Sequence, residues 1–217
     1  MKHARLKNIA VCASGRGSNF TAIAQSIRAG RLKARLALLV CDTPGAPVVA
    51  RAKELKVPWV LVERKNFPDR DAFEEKIVEY LQACRIDLVV LAGFMRIIGV
   101  HLLHAYPHAI INIHPALLPS FKGAHAIRDA FEYGAKVTGV TVHFVDRDVD
   151  HGPIIAQMPV EVQEKDTLAS LEKKIHKVEH VLYPAAIQRV LSGCCRITGR
   201  KVLRAKTSST LPYWHLA

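Results

Sequence analysis

Asn112 and His114 are the residues whose types and spacing most directly suggest a ligand site in this chain. They stand within an apolar, β-branched run that begins the segment AIINIHPALLPSFKG, residues 109–123. Such a run predicts the end of a buried strand, and side chains two positions apart on a strand point to the same face. Open α/β sheets bind their ligands where strands end, so this amide and imidazole are candidate ligand contacts. An Asn and a His satisfied within a core or a turn would show the same spacing, and both interpretations remain open here.

A glycine-rich turn near the N-terminus is typical of an anion site. Residues 8–13 predict a strand, residues 14–19 read SGRGSN, and residues 20–29 predict a helix. Glycines let backbone N–H groups approach an anion, and a helix N-terminus carries partial positive charge. Ser18 and Asn19 add side-chain donors and can cap the helix. The pattern lacks the full dinucleotide fingerprint, so it favours a phosphate monoester; a tight turn that only needs glycine is the alternative.

Arg96 is a single cation in the apolar segment GFMRII, residues 93–98, directly after the predicted strand 87–92. An arginine at a strand end can hold a carboxylate, and its apolar neighbours can line a slot for an aromatic ring. A surface arginine whose stem covers core residues is the other interpretation, and this segment alone favours it.

An acidic loop follows the predicted strand 138–145. It contains Asp146, Asp148 and Asp150 and is closed by His151, Gly152 and Pro153. Alternating acids suggest calcium, but the later ligand positions of an EF-hand loop are missing.

The elements that position these residues predict an α/β fold. Four β-α repeats occupy the first half of the chain and favour a doubly wound, Rossmann-like, mostly parallel sheet. The alternating segment 138–145 and the strand 154–160 predict a hairpin that adds antiparallel strands in the C-terminal half. A long helix is predicted over residues 167–190, with Thr167 or Asp166 as its N-cap. We expect a single domain, 1–217, made of the halves 1–107 and 108–192 and a basic hairpin or tail, 193–217.

Composition narrows the class of protein. Half of the 217 residues are hydrophobic, which permits a large core, and no apolar run reaches the length of a membrane span. The N-terminus shows no signal peptide, and five cysteines without a CxxC pair predict a reduced, cytoplasmic protein with no metal site. The net charge of +12 fits solvated surface better than nucleic acid, because no RNA-binding signature accompanies it. We therefore expect small-molecule partners, no nucleic acid and no membrane.

The motifs, in this order and across nearly the whole chain, resemble the glycinamide ribonucleotide formyltransferases, folate-dependent enzymes of purine synthesis. The long Asn-x-His-Pro segment and the later Asp-x-Gly-Pro are together the most specific features. The matching segments are SGRGSN at 14–19, LAGFMRII at 91–98, NIHPALLPSFKG at 112–123 and TGVTVHFVDRDVDHGPIIAQ at 138–157.

The resemblance implies a role for each matching position and 10-formyltetrahydrofolate as co-substrate. Residues 1–107 become the phosphate-binding half, and residues 108–192 the catalytic and folate-binding half. The implied residues are Gly17, Ser18 and Asn19 for the substrate phosphate; Arg70, Met95, Arg96, Ile97, Ile98 and Asn112 for the folate; Asn112, His114 and Asp150 for catalysis; and Glu179 for the glycinamide. Two positions depart from the family: His151 stands where a small residue is common, and His176 where some relatives carry a neutral amide.

The implied reaction explains the residue types. The glycinamide amine attacks the formyl carbon, the carbonyl oxygen becomes an oxyanion, and the folate N10 leaves with a proton. Asn112 offers a neutral N–H donor to the oxyanion. His114 in its charged form would donate as well, and we expect Asp150 to raise the His114 pKa and to relay the proton.

Three other functions share parts of this pattern. Methionyl-tRNA formyltransferase usually carries a further C-terminal domain, and formyltetrahydrofolate deformylase an N-terminal regulatory domain. The chain is expected to be too short for either, although hydrolysis remains a minor alternative. A nucleotide-binding regulatory module without chemistry is the alternative from another class. The protein is expected to be a monomer or a homodimer.

Overall fold

The computed structural model describes residues 5–204 of the chain. Its backbone divides into two compact units, with the division between Asn112 and Ile113. The strand predicted to carry Asn112 and His114 therefore contributes to both units. The functional division expected at residue 107 is a different boundary and stays a prediction. Of the expected tail 193–217, residues 205–217 lie outside the described part.

The first unit contains a parallel sheet in the order β3-β2-β1-β4-β5. The order reverses between β1 and β4, so the carboxyl ends of these two strands lie side by side, which is where such sheets bind ligands. The elements are β1 Lys7–Ala13, α1 Ser18–Arg28, β2 Ala34–Cys41, α2 Pro47–Glu54, β3 Trp59–Leu61, α3 Arg70–Ala83, β4 Leu88–Leu91, α4 Val100–Ala105 and β5 Ile110–His114.

The strands of this unit are buried along almost their whole length, as continuous apolar runs predict. Val11, Leu39, Val90 and Ile111 are fully buried, and each such side chain contributes about 1.5–3 kcal/mol on leaving water. The helices bury one apolar face each: Phe20 and Ile23 on α1, and Phe73, Ile77 and Leu81 on α3. The predicted parallel α/β half is confirmed.

α4 is an element that the sequence analysis did not predict. It spans six residues, which is too few to show a helical apolar period. The buried carboxylate of Glu74, on α3, accepts hydrogen bonds from the N–H groups of Gly99 and Leu102 at its start. A contact between distant residues therefore satisfies the amides that the first turn leaves free.

The second unit contains the strands β6 Val137–Phe144, β7 Ile154–Glu161, β8 Cys195–Thr198 and β9 Lys201–Arg204, in the order β6-β7-β9-β8. β6 and β7 pair antiparallel, as do β8 and β9. The predicted antiparallel strands of the C-terminal half are confirmed, and the fold class with them. The predicted final hairpin is formed by β8 and β9.

Two helices complete this unit, α5 Ala126–Glu132 and α6 Leu168–Leu191. Thr167 is the N-cap of α6 as predicted, and its hydroxyl accepts from the Ser170 amide in a capping box. Leu171, Ile175, Leu182 and Ile187 form the buried face of α6. Within residues 5–204, no helix is both long and apolar enough to cross a bilayer.

Candidate active site

The second unit brings His114 and Asp150 together, although 35 residues separate them in sequence. His114 ends β5 and is 3% exposed; its Nδ1 lies 3.3 Å from Asp150 Oδ2. The other ring nitrogen, Nε2, lies 2.7 Å from the Phe121 carbonyl oxygen and can donate to it. Asp150 is held in turn by the Gly123 N–H, which donates to Oδ2 at 2.9 Å. One short loop thus orients both members of the predicted pair.

The ionisation of His114 differs from the prediction. Burial lowers the pKa of His114, while the Asp150 charge and the Phe121 carbonyl raise it; burial has the larger effect, and the pKa lies below its ordinary value. Asp150 therefore acts in the predicted direction. Its effect on the pKa is smaller than that of burial, because the ring is buried more deeply than the sequence shows.

A second imidazole, His143, lies beside Asp150 and was missed by the sequence analysis. It is buried on β6; Nδ1 lies 2.8 Å from the Phe144 carbonyl oxygen, and Nε2 lies 3.8 Å from Asp150 Oδ1. Burial raises the pKa of Asp150, whereas His143, the Gly123 amide and His114 lower it. Together these three contacts outweigh burial, and the pKa of Asp150 lies below its ordinary value. The available signal was a His two positions after Thr141, on the polar face of a strand that the structure buries on both faces.

The segment after His114 is fixed by a buried polar network. The Thr141 hydroxyl donates to the Ala116 carbonyl at 2.7 Å and accepts from the Leu118 amide at 3.0 Å. The Gln157 side chain donates to the Leu118 carbonyl at 2.9 Å and to the Thr141 hydroxyl at 3.0 Å. These bonds satisfy backbone groups that have no strand partner, and they set the path of the loop that returns to His114.

Glu179 is buried on α6, and its negative charge also raises the pKa of His114. Its Oε2 lies 2.9 Å from Nδ1 of His176, one turn earlier on the same helix. His176 stacks on His180, with ring centroids 6.5 Å apart. His176 therefore contacts Glu179 within the same helix. Throughout the described range, no three His, Cys, Asp or Glu side chains are grouped to hold a metal ion.

The first unit contains the predicted phosphate turn. Gly17 has φ +74°, and a Cβ there would lie 2.5 Å from Val48 Cγ2, so this position requires glycine. Gly17 is also the N-cap of α1, without a side-chain cap. The helix thus begins at Ser18. The prediction that Ser18 or Asn19 caps it is wrong, because the left-handed Gly17 occupies the N-cap position.

The turn is joined to the segment after β4. The Met95 N–H donates to Ser14 Oγ at 2.9 Å, and the Ser14 N–H donates to the Gly93 carbonyl at 3.0 Å. Met95 and Ile97 are 68% and 60% exposed, whereas Ile98 is buried. Two large apolar side chains therefore face outward at this strand end.

Arg96 and Arg70, both implied for the folate, have different environments in the first unit. Arg96 Nε lies 2.6 Å from Oδ2 of Asp42, whose side chain is almost fully buried, so its guanidinium already holds a carboxylate of this unit. Arg70 is the first residue of α3 and is exposed. Asn112 lies on β5 opposite Leu91 of β4 and is partly exposed.

A doubly wound sheet with a glycine turn after β1, and an Asn-x-His strand end supplied with a distant Asp, defines a class of group-transfer enzyme. Residues 7–187 match the formyl transferase family, and the chain belongs to that family. It is 48% identical, over 186 residues, to the phosphoribosylglycinamide formyltransferase of Bacillus subtilis; the match covers 86% of this chain and 95% of that protein.

Solved structures agree with this assignment. Glycinamide ribonucleotide transformylase 1 from Symbiobacterium toebii superposes with a TM-score of 0.91 at 42% identity, covering 93% of this chain and 95% of that one. Phosphoribosylglycinamide formyltransferase from Bacillus halodurans gives 0.84 at 50% identity, covering 86% and 96%. The resemblance drawn from the motifs is confirmed, and the chain is an enzyme of this family.

Proposed function

We propose that this chain transfers the formyl group of 10-formyltetrahydrofolate to the amine of phosphoribosylglycinamide, giving formylglycinamide ribonucleotide and tetrahydrofolate in purine synthesis. The observation that carries the proposal is the buried His114–Asp150 pair, 3.3 Å apart, whose His114 ends the strand that also carries Asn112. The printed activities of the similar proteins support the acceptor.

In the proposed reaction the amine attacks the formyl carbon, and the carbonyl oxygen becomes an oxyanion. The tetrahedral intermediate then loses the bond to N10, which accepts a proton while the amine loses one. The Asn112 amide donates to the oxyanion; removing one such donor from an active site costs about 10²–10³ in kcat.

His114 acts through a change of charge during the reaction. Its pKa is lowered by burial before substrate binds. Negative charge that develops on the carbonyl oxygen raises that pKa, because an opposite charge favours the imidazolium. Asp150, with a pKa below its ordinary value, stays ionised beside the ring and relays the proton from the amine towards N10.

The remaining residues bind the two substrates. Gly17, Ser18 and Asn19 hold the phosphate with backbone and side-chain donors at the start of α1. The exposed side chains of Met95 and Ile97, with Arg70, Ile98 and the backbone of Arg96, hold the folate. The Arg96 side chain contributes less to folate binding, because it already forms an ion pair with Asp42. Glu179 accepts a hydrogen bond from the glycinamide amine.

The test is the absorbance change on consumption of 10-formyltetrahydrofolate, with and without phosphoribosylglycinamide. The proposal expects turnover that depends on the amine; turnover without it would indicate hydrolysis, and binding without turnover a regulatory module. Asp150→Asn should abolish most of the rate. Asp148→Asn is the matched control, since this carboxylate of the same loop is 76% exposed.

We also propose that the protein acts in a reducing cytoplasm, that its partners are small molecules, and that it is a monomer or a homodimer. The five cysteines are free thiols, which fits a reducing compartment.

A further inference from the structure

Arg200 contacts the residue next to Asp150. It lies in the turn between β8 and β9, 49 positions from His151. Its Nη2 donates to the His151 carbonyl oxygen at 2.7 Å, and its Nη1 lies 2.6 Å from Nε2 of the His151 ring. One guanidinium therefore holds both the backbone and the side chain of His151, a fork geometry that lysine does not have.

The far side of the His151 ring is held by the acidic loop itself. Nδ1 lies 2.9 Å from Asp146 Oδ2. The Arg200 Nη1 that lies near Nε2 is also 3.2 Å from Nδ1, so the guanidinium lies against the ring while Asp146 holds Nδ1. His151 thus links the start of the acidic loop to the β8–β9 hairpin, and this accounts for an imidazole where a small residue is common in the family.

The hairpin is anchored where the acidic loop ends. Lys201, the residue after Arg200, pairs in register with Ile154, the first residue of β7. Four residue pairs join β8 to β9, from Cys195 opposite Arg204 to the turn. Arg200 therefore precedes a residue that pairs with the start of β7, the strand that follows the acidic loop. Its contact with His151 joins the hairpin to the end of that loop.

Asp150 needs support from its surroundings. Its φ is +50°, a left-handed conformation that residues other than glycine rarely adopt. Backbone of this kind persists where neighbouring contacts hold it in place. The Gly123 amide and the imidazoles of His114 and His143 hold the carboxylate, and Arg200 holds the backbone of the next residue.

We propose that Arg200 is a positioning residue for Asp150, acting through His151. This inference rests on the proposed function of Asp150 and adds a residue outside the matched range 7–187 to the machinery of that reaction. Arg200 touches neither substrate. It holds the backbone beside Asp150 so that the carboxylate stays 3.3 Å from His114.

The expected effect is moderate and falls on kcat. A displacement of about 1 Å in an active site can cost 10²-fold. Arg200 is exposed, and an exposed contact is weaker than a buried one. We therefore expect Arg200→Ala to lower kcat about tenfold, with both KM values unchanged because no substrate contact is lost.

The experiment compares Arg200→Ala and Arg200→Lys with Arg196→Ala, which removes the same charge from an exposed position on β8. Steady-state kinetics give kcat and KM, and hydrogen exchange of the Gly123 amide reports the bond to Asp150 without any turnover. We expect Arg200→Ala to speed this exchange and lower kcat, Arg200→Lys to recover part of both, and Arg196→Ala to match the wild type.

Two results would overturn the inference: wild-type kcat and Gly123 exchange in Arg200→Ala, or equal changes in Arg200→Ala and Arg196→Ala. The proposed function is judged separately, on the wild-type enzyme. If that enzyme shows no amine-dependent turnover, the proposed function fails, and Gly123 exchange in the variants still decides whether Arg200 positions Asp150.

Discussion

Gly152 is the position where one added methyl group should test the geometry of the site. It follows Asp150 by two residues and lies where the acidic loop closes, beside the hydrogen bond from the Phe144 amide to the Pro153 carbonyl at 2.9 Å. A Cβ at Gly152 would lie 1.8 Å from the Phe144 carbonyl oxygen. That oxygen belongs to the backbone of β6 and cannot turn aside as a side chain could.

The size of the effect follows from this distance. Real Cβ atoms essentially never approach closer than 3.0 Å, so Gly152→Ala must separate the two backbone segments by about 1.2 Å. Asp150 lies on the displaced segment, and its bond to the Gly123 amide is only 2.9 Å long. A misplacement of about 1 Å costs about 100-fold in rate, or about 2.7 kcal/mol of transition-state stabilisation.

The assay is kcat at saturating substrate, measured well below the thermal midpoint of each variant, with circular dichroism to verify folding. Gly30→Ala is the control: its φ of +72° imposes backbone strain, but a Cβ there meets nothing within 4 Å. We expect it to lose stability and keep its kcat. A folded Gly152→Ala enzyme with kcat within about twofold of wild type would show that Asp150 tolerates displacement, contrary to the tight positioning argued here.

Three further predictions concern single contacts. Asp150→Asn should lower the pKa of His114 further, because it removes a charge that raises it; NMR titration of the ring measures this, and an unchanged pKa would contradict it. Gly17→Ala should raise KM for the phosphorylated substrate, and adding Val48→Ala should recover only part, since it removes the contact at 2.5 Å but leaves the Val48 Cβ at 2.7 Å and the strain of φ +74°; full recovery would contradict this. Glu74→Gln should lower the free energy of unfolding by about 1–3 kcal/mol in urea titrations, because a buried acceptor of two amides is weakened; wild-type stability would refute this.

Local patterns were sufficient for most of the fold. The strands of the first unit are continuous apolar runs, α6 begins at a Thr with a capping partner three residues on, and the glycine turn follows β1 directly. Each of these signals is contained in a dozen residues or fewer, so no knowledge of distant partners is needed. The order of the motifs then identified the family.

The through-space partners could not be obtained in this way. Asp42 lies 54 positions from Arg96, and Arg200 lies 49 positions from His151. His143 is close to Asp150 in sequence, but it lies on a strand and Asp150 in a loop, so that no local period connects them. α4 was missed for the same reason, because its start is satisfied by Glu74 from another helix.

The ionisation of His114 shows the difference most clearly. The residue, its strand and its acidic partner were all predictable from sequence, and attraction to Asp150 alone would raise the pKa. The net pKa is lowered because the folded chain removes the ring from water, and that desolvation exceeds the attraction. The sequence identifies the charged groups that act on His114. The net direction of its pKa depends on burial of the ring, which only the folded chain provides.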